Sequence, residues 1–226
     1  MSDALPPRVR RQVLRDALGI GVATGLYALS FGAVSVAAGL SVLQTCALSL
    51  LMFSGASQYA FVALASNGAA AIATAALLGA RNALYGLRLS GLLRAHGPRR
   101  IVAAQLVIDE STAMAIAREP DGEPASRLAF YATGAAIYVL WNSLTLVGAV
   151  AAGALPDPRK IGLDAVAPAA FLALLAPRLR GRGPFAIAVV AAVIALVLTP
   201  FVPAGVPVLA AATAAAASLA FRGASA

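Results

Sequence analysis

From Ala17 to Ala80 the chain carries no charged side chain. A soluble fold cannot hide a run of that length. Of its 226 residues, 61% are apolar and 12% charged, against roughly 45–50% and about 25% in ordinary soluble domains. In water the excess would stand out as large greasy patches, whereas a bilayer solvates it. One span takes about 20 apolar residues, so the uncharged run has room for about three. In hydrocarbon every backbone polar group needs an internal partner, which favours helices. The expected fold is therefore all-α: a single membrane domain, a polytopic transmembrane helical bundle, over residues 1–226.

The net charge of +8 is gathered at Arg8 to Arg15, Arg94 to Arg100 and Arg178 to Arg182, in short breaks between apolar runs. That placement marks topology-setting cytoplasmic loops rather than a nucleic-acid surface. The polar start, residues 1–16, reads as a cytoplasmic tail ending in a short interfacial helix, followed by a retained span rather than a secretory leader. The apolar segments run at about Ala17 to Leu40, Ser41 to Ser66, Gly68 to Leu93, Ile101 to Ala117, Leu128 to Ala154 and Leu163 to Ala176. Two further runs, Pro184 to Leu198 and Pro207 to Phe221, close the chain. Gly21 and Gly25 in the first segment have the small-xxx-small spacing that lets another helix approach closely. The single cysteine, Cys46, reads as a packing thiol.

Charge and segment count conflict. The tail and the loop at Arg94 to Arg100 should share the cytoplasmic side, yet an odd number of segments separates them. The same conflict recurs between Arg100 and Arg178. One resolution is a broken or re-entrant segment in each trio, the candidates being segment two with its Ser-Gly-Ala-Ser core and segment six with Pro168. The other is that one basic loop lies outside despite its charge. The paired trios also raise an internal inverted repeat, although no convincing residue match links them.

Polar groups inside apolar segments are expensive and usually face a partner or a water-filled path. Ser54, Gly55, Ser57 and Gln58 could mark a helix break whose bare backbone groups bind a ligand; ordinary interhelical hydrogen bonding is the alternative. Arg81, Tyr85 and Arg88 share one face of segment three beside Asn82, and Arg88 reaches an interface if it snorkels. Adjacent Asp109 and Glu110 in short segment four are the sharpest polar feature, as proton carriers or as an ion pair that ties helices together. Gln105, Asp109 and Thr112 are expected to form one polar face of that helix. Asn142 lies in segment five, and Asp164 opens segment six as a cap or an ionisable partner.

No GxxxxGK[ST] loop is present, the lone His96 sits in a basic loop away from the buried serines, and no residue set has metal-ligand spacing. The chain is accordingly expected to be no enzyme and to need neither cofactor nor metal.

Four motifs in order resemble the AzlC family: Phe53-Ser54-Gly55-Ala56-Ser57-Gln58, Arg81-Asn82-Ala83-Leu84-Tyr85-Gly86, Asp109-Glu110, and Gly162-Leu163-Asp164 with Pro168-Ala169-Ala170-Phe171-Leu172. The resemblance covers about Leu18 to Ala176. It departs at Ala83-Leu84 after Asn82 and at Ile108 before the acid pair. It implies the large subunit of a branched-chain amino acid exporter. The expected protein is a secondary permease of the bacterial cytoplasmic membrane that exports substrates such as valine with a small AzlD-type membrane subunit. On that reading Ser54, Gly55, Ser57, Gln58, Asn82, Tyr85 and Asn142 bind substrate. Arg81, Asp109, Glu110 and Asp164 form the proton-coupling or ion-pair set.

Overall fold

The computed structural model describes residues 5–65, 68–154, 172, 179–202, 206–207, 210–211 and 213. Apart from Leu172, segment six, with Asp164 and Pro168, lies outside the described residues, as does most of the last apolar run. The described elements are helical: α1 (Pro7–Ala37), α2 (Val42–Leu51), α3 (Gly55–Ala63), α4 (Gly68–Leu93), α5 (Pro98–Gln105), α6 (Asp109–Ala117), α7 (Glu123–Ala154) and α8 (Arg182–Leu198). A 3₁₀ turn, Glu119–Asp121, joins α6 to α7. The fold is that of an all-α membrane protein. α1 and α7 are each long and apolar enough to cross a bilayer. α4, at 26 residues, has the length to do so but carries Arg81 and Arg88.

The interfacial helix expected before Ala17 is instead the first turns of α1, which runs unbroken from Pro7. Pro7 fits that start because its missing N–H would be unpaired there anyway. Val13 and Ala17 are already buried, so the basic end of α1 packs from its second turn onward.

α1 and α7 form the spine, and they run parallel. A Cβ at Gly21 would meet Ala136 and Leu140, one at Gly25 Leu140 and Leu144, and one at Gly32 the backbone of Thr145 and Ala149. At Gly32 it would overlap the Thr145 carbonyl oxygen, and at Gly148 the Leu29 carbonyl oxygen. Only glycine permits backbones that close. The helix that Gly21 and Gly25 were expected to admit is thus α7. Tyr27, Phe31, Tyr59 and Trp141 then lock α1, α3 and α7 together, with Tyr27 and Tyr59 stacked at 5.0 Å and Phe31 against Trp141 at 6.1 Å.

In chain order two hairpins with broken tips come between the spine helices, packed beside them. α2 starts beside the far end of α1 and descends along α7: the Ser49 hydroxyl bonds that of Thr145 at 3.4 Å, and the Tyr138 hydroxyl donates to the Leu50 carbonyl at 3.3 Å. The helix stops at Met52. α3 restarts at Gly55 under Trp141 and climbs back beside α4, with Ser57 opposite Gly79. α4 then descends its full length to the starting level of α7, where Arg127 Nε donates to the Leu92 carbonyl at 2.7 Å.

The second hairpin enters from the opposite end. α5 rises to Gln105, the chain turns through Leu106 to Ile108, and α6 returns along α7: Leu106 packs on Gly134, while further down the Ser126 hydroxyl donates to the Ala115 carbonyl at 2.5 Å. Segment two is therefore a re-entrant hairpin, and so is segment four, where the sequence pattern predicts one short helix. The two hairpins enter from opposite ends, while the second of the paired trios ends in segment six, outside the described residues, so the inverted repeat stays an expectation. Both hairpins leave Arg8 to Arg15 and Arg94 to Arg100 at the same end, so the basic tail and loop share a side. At that end Arg118 bonds Asp16 at 2.7 Å and Asp121 at 3.1 Å. The Asp121 hydrogen bond, reinforced by Asp16, holds its guanidinium pKa above the usual arginine value.

Gly32→Ala should lower the melting temperature of the detergent-solubilised protein by roughly 5 °C or more, since the added methyl must push the α1 and α7 backbones apart. Gly86→Ala, at a site with nothing within 4 Å, should leave it unchanged or slightly raised; equal shifts from both would refute the seam.

Candidate functional site

The two tips meet. Gln105 Nε2, at the end of α5, donates to the Leu50 carbonyl at the end of α2 over 2.8 Å. Around this contact lies a cavity of about 440 Å³, lined by Met52, Phe53, Ser54 and Ser57 of the first tip, Ala104, Gln105 and Val107 of the second, and Ile72, Ala75, Gly79 and Asn82 of α4. Its size falls within the roughly 300–1,000 Å³ of typical small-molecule sites.

Local chemistry explains each break. After Met52 the chain goes extended and Ser54 turns away from helical geometry, at φ −159° and ψ 67°. The Ser54 carbonyl accepts the Ser57 N–H at 2.7 Å, and their hydroxyls lie 3.3 Å apart. Gln58 is fully buried and reaches back over the break, Nε2 donating to the Leu48 carbonyl at 3.5 Å. Across the second break, Ile108 is extended, and the Ser111 hydroxyl accepts its N–H at 3.1 Å while donating to the Leu106 carbonyl at 2.6 Å. Asp109 and Glu110 occupy the first turn of α6, where the helix dipole favours negative charge. The break divides the expected polar face: Gln105 belongs to α5, Asp109 and Thr112 to α6.

Arg81, midway along α4, bonds Asp109 at 2.7 Å, with both side chains 35% exposed. Of the two acids considered for Arg81, Asp109 is the one paired. Glu110 makes no salt bridge among the described residues. Arg88 instead pairs with Glu119 at 2.6 Å at the charged end, in line with the snorkelling alternative.

The sequence-proposed residues thus fall into three places. Ser54, Ser57 and Asn82 line the cavity. Arg81, Asp109 and Glu110 form an ionic group next to it, adjoining the cavity wall through Asn82 and Val107. Gly55, Gln58, Tyr85 and Asn142 are not part of the wall: Gly55 packs on Trp141, Tyr85 joins the apolar core, and Asn142 Nδ2 bonds the Tyr138 carbonyl one turn back at 2.7 Å. Among the described residues three buried side-chain amide oxygens, Asn82 Oδ1, Gln58 Oε1 and Asn142 Oδ1, have no hydrogen-bond partner. The tip-bridging role of Gln105 is the feature missed in the sequence. A lone glutamine on a helix presumed continuous gives no sign that it caps another helix.

Residues 19–155 match the family described as AzlC protein. The chain belongs to the AzlC family. Membership makes it a membrane transport protein, of a family of transporters rather than enzymes. No curated protein matches the chain, and no solved structure does.

Asp109→Asn alone should destabilise the AzlC chain, because it strands Arg81 at mid-helix, whereas adding Arg81→Gln should restore some of the loss. Thermal melts of the two single variants and the double should show a coupling of about 1 kcal/mol, modest because the pair is partly open to solvent. Strict additivity would mean that the ion pair contributes nothing.

Proposed function

We propose that this protein is the large subunit of a secondary exporter of branched-chain amino acids such as valine. It works in the bacterial cytoplasmic membrane with a small AzlD-type subunit, N-terminus cytoplasmic and efflux driven by protons. The observation that carries this reading is the cavity between two opposed re-entrant tips, with one unpaired amide oxygen on its wall.

A zwitterion needs receptors for both of its charges and a wall for its side chain. The start of α3, which adjoins the wall at Ser54 and Ser57, supplies the positive end of a helix dipole for the carboxylate. The hydroxyls of Ser54 and Ser57 stand beside it. Asn82 Oδ1 is an acceptor placed for the ammonium. Because Asp109 already holds Arg81, Asn82 is a better ammonium receptor than the acid pair. Phe61, Ile72, Ala75, Ala76 and Val107 offer an apolar wall for an aliphatic side chain. Glu110, the acid of the group without a salt bridge, is the carrier proposed for the coupling proton. The shared side of the basic tail and loop supports the cytoplasmic N-terminus.

Valine efflux from preloaded cells tests the reading. Asn82→Ala should cut efflux about tenfold, the scale of one lost hydrogen bond to a charged group, with protein level unchanged. Glu110→Gln should leave substrate exchange intact while abolishing the dependence of net efflux on the proton gradient. Full efflux from Asn82→Ala would remove the cavity from the mechanism. Gradient-dependent efflux from Glu110→Gln would remove the acid.

A further inference from the structure

A second, larger cavity, about 950 Å³, opens at the charged end between the α4–α5 loop and the start of α7. Arg94, His96, Arg99 and Arg127 border it, with the ring of Tyr131 and the side chain of Val102 on its deeper walls. The loop is set for this shape. Arg94 takes a left-handed conformation, φ 42°, capping α4 through its N–H to the Ser90 carbonyl at 3.1 Å. Gly97, φ 56°, turns the chain into α5.

Among the described residues, one acid bonds the group. Glu123 bonds Arg127 at 2.6 Å and approaches Arg94 at 3.6 Å. Arg99 makes no salt bridge among the described residues, so three arginines share one carboxylate. The first turn of α5 also borders the cavity and adds the positive end of its dipole. Immediately beyond Arg99 and Arg100, Ile101 and Val102 are 74% and 56% exposed. Charge at the mouth and bare apolar surface one turn deeper is the outline of an amphiphile. A free anion would have no use for the second half.

The geometry points to a binding site for one anionic phospholipid, its phosphate diester held by Arg94, Arg99 and Arg127 and its acyl chains laid along Ile101 and Val102. Juxtamembrane arginines attract anionic lipid by about fivefold each, hence about 30-fold for two. Arg127 also ties α7 to α4, so the informative substitutions are at the exposed Arg94 and Arg99.

The test is native mass spectrometry of the full-length protein in detergent, titrated with phosphatidylglycerol or phosphatidylcholine. The wild type should retain a single phosphatidylglycerol in marked preference to phosphatidylcholine. R94Q/R99Q should lose about 30-fold of that affinity, R99Q alone about fivefold, and R94K/R99K should keep most of it. R8Q/R10Q, which removes as much charge elsewhere at the same end, should change little. No lipid preference in the wild type would overturn the site, as would an equal loss from R8Q/R10Q, which would mean diffuse attraction only. Displacement of the lipid by excess inorganic phosphate would overturn the lipid assignment in favour of a free-anion site.

Discussion

The last carbonyls of any helix have no partner within it, and hydrocarbon supplies no water to replace one. Two hairpins ending in mid-membrane multiply this problem, and the structure is organised around solving it. The Leu48 carbonyl, already bonded to the Met52 N–H, takes a second donor from Gln58. The Leu50 carbonyl receives Gln105 and Tyr138. The Leu106 carbonyl receives Ser111. Each side-chain donor comes from across a break or from a neighbouring helix, so the tips are held by the same bonds that make them tolerable. Among the described residues, Asn82 Oδ1 stays unpaired on the wall of a cavity that can take a ligand or water.

The spine makes such tips affordable. Parallel α1 and α7 approach to backbone contact at Gly32 and Gly148, and the aromatic group around Trp141 fills the space where α3 restarts. Neither hairpin has to hold the fold together. α6 rests along α7, α2 along α7 and α3 along α4, leaving the tips to be shaped by polar chemistry.

The first break was legible because two independent signals coincide. Ser54-Gly55-Ala56-Ser57 is locally poor helix, and an uncrossed segment between Arg15 and Arg94 is one of the two resolutions of the charge count. For the second break only the charge count spoke. Leu106-Val107-Ile108 is apolar, with neither glycine nor proline, and reads as uninterrupted helix. Pro168 therefore drew attention to segment six. A subtler sign was present: Asp109 and Glu110 followed by Ser111 have the composition of a helix start. The pairing of Arg81 with Asp109 was open from sequence only as a choice between two acids, because deciding between them requires knowing where α6 begins.

At Leu50 a junction is built on main chain, and this limits how it can evolve. Its carbonyl oxygen joins the first hairpin to the second, yet no substitution at Leu50 deletes that oxygen. Genetic drift can reach the joint only through its two donors, Gln105 and Tyr138, on opposite sides of the tip. Exchanging either one alters how firmly the hairpins meet while the cavity lining at Ser54 and Asn82 stays as it is. Related chains could thus diverge in the ease with which their hairpins separate and still keep the chamber between them.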